Sequence, residues 1–223
     1  SMKTTTRINS VLLVLALLLS VCSNARAQFQ GIDLLSGYNP DTTIIREWKD
    51  GHALIYSKES NSPTKWFHLV KSGSSTFNSF KVGAVVRDIE ILGDTAYFCG
   101  NDDTGDPVIG YFDLPTFLAS TPQLAMVSIG ATLYHPKRME VFPVADGLHV
   151  VMVGDYTTGI GETDRFLADV SHHYPTDTWS LFHYSDVSQA EYFDDIAVTD
   201  KYVVTAGHKH LRRAIYMRMF TKP

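Results

Sequence analysis

The chain has 223 residues, 44% of them hydrophobic and 12% aromatic, enough material for one substantial core. Lys and Arg number 19 against 24 Asp and Glu, a formal charge of −5. This mildly acidic balance gives no reason to expect nucleic acid or anionic lipid as a partner.

Ser1 before Met2 reads as a residue left by an expression tag and stands outside the argument. Lys3 and Arg7 precede "VLLVLALLLSV", residues 11–21. That run is too short to cross a hydrocarbon core of about 30 Å, which takes about 20 helical residues, and it fits the apolar centre of a secretory signal. Ala25-Arg26-Ala27 supplies small residues at the two positions a signal peptidase reads, so cleavage is expected before Gln28 and residues 1–27 are read as a signal peptide. Cys22 suggests a rival reading, a lipoprotein signal ending in an acylated cysteine; Val21, where a small residue is usual, and the downstream Ala-x-Ala oppose it.

Losing residues 1–27 deletes Lys3, Arg7 and Arg26 and no acid, so 19 basic residues become 16 and the charge moves from −5 to −8. The expected mature chain is exported, to the periplasm, the cell surface or the medium, and has no transmembrane segment. Cys99 is its one cysteine, so no internal disulfide framework is expected. Its setting in "TAYFCG" predicts a buried structural thiol rather than a nucleophile.

Residues 28–41 form an N-terminal segment, and a repeat domain is expected over 42–223. Asp88-Ile89-x-Ile91 aligns with Asp195-Ile196-x-Val198, and in both copies a glycine, Gly100 or Gly207, lies twelve residues after the aspartate. Turns fall between them at Gly93-Asp94 and Asp200-Lys201. A looser copy, "RMEVFPVADGLHVVMVGD", turns at Ala145-Asp146-Gly147 and ends near Gly154. The weakest, "TTIIREWKDGHALIYSKE", turns at Asp50-Gly51 and has Ser57 in the glycine's place.

The apolar residues alternate or form short runs instead of recurring every three or four positions, which predicts strands. Each of the first three copies is followed by two more strand candidates: "KWFHLVKS" and "TFNSFKVG", then "PVIGYFDL" and "QLAMVSIG", then "DRFLADVSHH" and "WSLFHYSD". The fourth supplies only "RRAIYMRMF". Apart from the signal, "DLPTFLAST" alone suggests a short helical turn. The expected fold is all-β, an array of about four four-stranded antiparallel blades.

This pattern resembles the secreted β-propeller proteins of bacterial envelopes over residues 42–220, at the level of architecture. No WD dipeptide, kelch double glycine, sialidase Asp-box or six-residue NHL pattern ties it to a named propeller family. The fourth blade lacks an outer strand, and "FQGIDLLSG", residues 29–37, is a candidate to close the ring. A larger ring of six to eight blades and an irregular open β-array remain open.

In a propeller the residues after each matching glycine share one rim. Here they are Lys58 and Glu59; Asn101, Asp102 and Asp103; Asp155 and Tyr156; and His208, Lys209 and His210. The loops entering the inner strands add Arg87, Lys137, Arg138, Tyr192 and Asp194. The binding set drawn from these is Asn101, Asp102, Asp103, Arg138, Asp155, Tyr156, Tyr192, His208, Lys209 and His210.

His208 and His210 are two apart and in extended backbone point the same way, yet two ligands do not make a zinc site. "NDDTGDP" offers hard oxygen ligands for calcium but lacks EF-hand spacing, and its residues are also those of hairpin loops. No cofactor is expected. Asp88 and Asp195 read as structural, accepting hydrogen bonds from nearby amides in each blade. His172 and His173 lie between outer strands on the opposite face; Trp48, Trp66 and Trp179 have the look of sugar platforms, but Trp66 and Trp179 sit in strand-like stretches and read as packing residues. "GDYTTGIGETD" lacks the strand-to-helix context of a phosphate loop.

No catalytic fingerprint occurs, so the expectation is a noncatalytic binding or scaffold protein whose rim contacts a glycan or an extracellular or envelope protein. The alternative is an exported polysaccharide hydrolase or lyase using Asp102, Asp103, Asp155 and the rim histidines.

Overall fold

The computed structural model describes Asn39 and residues 42–74, 76–130, 133–144, 147–157, 163–173, 178–185, 191–199, 202–209 and 212–221. The expected signal and the candidate closing strand lie outside these residues, as does His210.

Local turn chemistry sets the strands. β1 (Ile44–Glu47) and β2 (His52–Lys58) flank a 3-10 turn in which Asp50 and Gly51 take φ of 57° and 72°. That is the left-handed region, which glycine enters freely and Asp better than most. β5 (Ala84–Leu92) and β6 (Thr95–Asp102) meet at Gly93-Asp94, with Leu92 paired to Thr95 and Gly93 at φ 60°. β9 (Tyr134–Val144) and β10 (Gly147–Thr157) pair Val144 with Gly147, and β13 (Glu191–Val198) and β14 (Tyr202–Lys209) pair Val198 with Val203.

Third strands follow as β3 (Lys65–Lys71), β7 (Pro107–Asp113), β11 (Thr163–His173) and β15 (Arg212–Thr221), and fourth strands as β4 (Phe77–Lys81), β8 (Ala125–Ser128) and β12 (Thr178–Ser185). Among the described residues the one α-helix is α1 (Leu114–Ala119), where the Asp113 carboxylate accepts the Thr116 amide and Pro115 sits in the first turn. The protein is therefore all-β. Among the described residues it forms four antiparallel sheets in chain order, β1-β2-β3-β4, β5-β6-β7-β8, β9-β10-β11-β12 and β13-β14-β15. None of the described helices is long and apolar enough to cross a membrane.

Each sheet packs on the next through an apolar layer, so an inner sheet has a leading face toward the preceding sheet and a trailing face toward the following one. Leu54, Tyr56, Phe67 and Phe80 of the first sheet meet Ile89, Phe98, Phe112 and, from α1, Phe117. Tyr97, Cys99 and Ile109 of the second meet Met139, Val150, Met152 and Phe166 of the third. Phe142, Val151, Val153 and Leu167 of the third meet Phe193, Ile196 and Val203 of the fourth. Strands buried on both faces need apolar side chains at every position, which is why "TAYFC" and "LHVVMV" read as runs. Phe67 anchors the first layer, its ring 5.0–5.6 Å from those of Tyr56, Phe80, Phe98 and Phe112.

The repeated glycines have a specific cause. In β5 the register slips so that Val86 faces Gly100 and Asp88 faces Cys99, leaving Arg87 as an extra residue. In β9 Pro136 faces Gly154 and Arg138 faces Val153, leaving Lys137; in β13 Phe193 faces Gly207 and Asp195 faces Ala206, leaving Asp194. These are three β-bulges at matching places in three sheets. The bulged strand bends over its partner, and a Cβ at Gly100 or Gly154 would lie 2.1 Å from the carbonyl oxygen of Val85 or His135. β1 has no register slip over its four residues, and the residue in the glycine's place is Ser57.

Gly154→Ala is expected to lower stability by about 2 kcal/mol through this overlap. Gly73→Ala, with nothing within 4 Å of the new methyl and φ 75° to sustain, should cost about 1 kcal/mol. Phe67→Ala should cost about 4 kcal/mol. Urea unfolding of the three variants checks the order.

Candidate functional site

The rim residues lie in or beside strand ends rather than in free loops. Arg87, Lys137, Arg138, Tyr192 and Asp194, expected in entry loops, belong to β5, β9 and β13, and His208 and Lys209, expected after a strand, belong to β14. The structure brings several of them together at the seams between sheets. Between the first and second sheets the Lys65 ammonium, on a largely buried side chain, pairs with Asp103. Between the second and third, Asn101 Nδ2 donates to the carbonyls of Gly105 (3.0 Å) and Tyr134 (2.9 Å). Between the third and fourth, Lys137 Nζ lies 2.9 Å from Asp155 Oδ1 and 3.4 Å from Asp194 Oδ1.

Asp102 is held by its own loop. Its Oδ1 accepts the amides of Thr104 and Asp106, both at 2.9 Å, and the Thr104 hydroxyl at 2.7 Å. The Thr104 hydroxyl first, then the turn amides, keep this carboxyl below the usual range. The "NDDTGDP" carboxylates thus serve the hairpin and the neighbouring lysine, and no group of three or more metal-ligating side chains occurs among the described residues.

Tyr156 packs on Tyr134 with ring centroids 4.7 Å apart, and both remain partly exposed. Arg138 is exposed and donates to the Lys137 carbonyl. Tyr192 and His208 stand opposite each other in the β13–β14 ladder, and Lys209 faces Glu191. Arg165, opposite Asp155, is buried against the Phe193 ring at 5.0 Å.

A second constellation, which sequence reasoning missed, lies along the first strands of the sheets. Arg46 Nη2 donates to Asp88 Oδ1 at 2.6 Å, and its Nε lies 3.9 Å from Glu90. Asp88 Oδ2 accepts the Met139 amide at 3.1 Å. Glu140 follows on β9, and its carboxyl is pushed up to about 6, first by burial and then by Glu90, Asp88 and Asp195. The signal in the sequence is charge within each first strand, at alternate positions in two of them: Arg46, then Asp88 and Glu90, then Arg138 and Glu140, then Asp195.

Two histidines sit in serine-containing clusters. His68, on the leading face of the first sheet, shares hydrogen bonds with Ser57 (3.0 Å) and Ser79 (2.7 Å) through its two nitrogens, and burial lowers its pKa to about 4. His149 turns Nδ1 to Asp169 Oδ1 at 2.7 Å, with Ser171 Oγ 3.4 Å from the same nitrogen. A nucleophile–base–acid relay needs the serine on the opposite nitrogen from the acid, so this arrangement is not one. Cys99 is fully buried, which raises its thiol far above the ordinary value, and it is the inert thiol the sequence predicted. Trp48 is buried with Nε1 donating to the Gly93 carbonyl, and Trp66 donates to Glu59 while Lys81 covers its ring, so neither presents a bare platform.

Opposite pH dependences follow. Glu140 binds its proton more tightly in the folded chain, so its contribution is full below about pH 4.5 and is lost as pH rises through about 6; with solvent screening of a half-exposed group this is about 1 kcal/mol. His68 stays neutral in the fold, so its contribution is present above about pH 6.5 and is lost as pH falls toward 4. Thermal melts from pH 4 to 8 should show Glu140→Gln gaining stability relative to the parent at pH 7.5, and His68→Gln flattening the acid limb.

No family model matches the chain, and neither a curated protein nor a solved structure shows significant similarity to it.

Proposed function

We propose that the chain is an exported, noncatalytic binding or scaffold protein that uses its rim to hold a glycan or protein partner in the cell envelope or outside it. The observation that carries this reading is the chemistry of the rim. Asp102 and Asp103 and the Asp155–Asp194 pair already have turn amides or a lysine as partners, and Asp155 precedes Tyr156, whose partly exposed ring packs on that of Tyr134. Such a surface holds a partner by hydrogen bonding and stacking. Acid–base hydrolysis instead needs a carboxylate left free to take a proton.

In finer architecture we read the four sheets as a propeller-like ring closed within one chain, residues 29–37 completing the fourth sheet. Two observations support this. On the first sheet's leading face Ile55, Ser57 and His68 are 1%, 0% and 1% exposed, so the single chain itself covers them. The Asn39 amide donates to the Lys58 carbonyl, which brings the start of the described chain to the rim end of β2.

A panel of neutral and acidic oligosaccharides and envelope proteins, screened by calorimetry or pull-down, tests the function. Tyr156→Ala and Arg138→Ala are each expected to weaken the best partner about tenfold, on the scale of 1–2 kcal/mol for an interface aromatic or arginine, the exposed Arg138→Ala with little change in melting temperature. Product release from any glycan, or binding indifferent to both substitutions, would overturn the proposal.

A further inference from the structure

We propose that the trailing face of the fourth sheet is an interaction surface for the chain's own first sheet, latched by Asp195 accepting the main-chain N–H of Ile45. This rests on the ring reading above and names the contact that completes it.

The pattern is set at the seam between the second and third sheets. There Asp88 Oδ1 accepts the amide of the next residue, Ile89, at 3.0 Å, while Oδ2 crosses the seam to the Met139 amide. Asp195 repeats the first half: it follows a bulge at the same place, and its Oδ1 accepts the Ile196 amide at 3.0 Å. The second half is empty. Asp195 is exposed where Asp88 is buried, and Ala197 and Tyr202 beside it on the trailing face are exposed as well.

The complementary vacancy lies on β1. Met139, Ile89 and Ile196 occupy one position of the repeat, opposite Met152, Phe98 and Thr205, each two residues before the matching glycine. Their counterpart is Ile45, opposite Ile55. Met139, Ile89 and Ile196 are buried by the preceding sheet, whereas Ile45 is 37% exposed. Parallel first strands with side chains on the same face send their amides the same way, so the Ile45 N–H points from β2 toward the axis, as that of Met139 points from β10. Among the described residues, a donor lacking an acceptor stands at one end of the array and an acceptor lacking a donor at the other. The occupant is the same chain rather than a second copy, because Ile55, Ser57 and His68, on the leading face that Ile45 shares, are already covered within one chain.

The test places cysteines at both positions of the full chain, Ile45→Cys with Asp195→Cys, leaving the buried Cys99 unchanged, and oxidises with glutathione disulfide. The expected result is a disulfide within the monomer, seen as faster migration on a non-reducing gel and absent from either single variant. A disulfide-linked dimer overturns the proposal by assigning the surface to a second copy. A folded monomer without the disulfide overturns the latch alone; hydrogen exchange at the Ile55 and His68 amides then reads ring closure separately. The single variant Asp195→Ala, which perturbs folding less, should speed exchange at the Ile45 amide by about tenfold, and an unchanged rate sinks the latch.

Discussion

One carboxylate ties the sheets together. Asp88 is 3% exposed, and a buried charge is tolerated only when its lone pairs are taken up; here Arg46 of the first sheet, the Ile89 amide of its own strand and the Met139 amide of the third sheet do so. Backbone ladders hold strands within a sheet, and apolar layers hold sheets face to face without fixing how far one slides on the next. A directional contact spanning three first strands fixes that offset. The bulge at Arg87 makes it available, because the extra residue bends β5 at the position from which Asp88 reaches both neighbours.

The rim inherits its geometry from the same bulges. Lys137 and Asp194 are themselves bulged residues, and the local bend carries their side chains to the seam beside Asp155 of β10. The site is therefore a set of cross-sheet pairs built on strand ends, more rigid than the loops the sequence suggested. Interior electrostatics and rim chemistry are separated: the groups with the largest shifts, His68, Cys99 and Glu140, lie on sheet faces and first strands, away from the proposed binding rim.

Much of this was legible in the sequence. The turns at Asp50-Gly51 and Gly93-Asp94, the strand that follows each, the short helix at Leu114 and the structural character of Asp88 all follow from local chemistry. Tertiary placement was not legible. Nothing in "RDIEIL" says that its alternating charges meet Arg46 and Glu140 across two seams, because such contacts depend on the stacking order of sheets and leave no spacing rule behind. The calcium reading of "NDDTGDP" drew on the same oxygen ligands that the hairpin uses to hold itself, and a sequence does not distinguish the two uses. The bulges were visible only as glycines without a stated reason.

Every backbone ladder among the described residues joins strands that are neighbours in the chain, and the sheets meet one another only through side chains and single bonds such as that of Asp88. Formation of these described ladders is therefore a local event, each completed within about 50 residues of chain, the kind of pairing that forms fast. Each new sheet finds its predecessor already presenting an apolar face, so assembly proceeds as accretion along the chain, in the manner of a one-dimensional repeat array. A lesion in one sheet then halts growth at that point and leaves the earlier sheets standing with one greasy face uncovered. Such arrested intermediates, rather than the unfolded chain, are the species most exposed to aggregation.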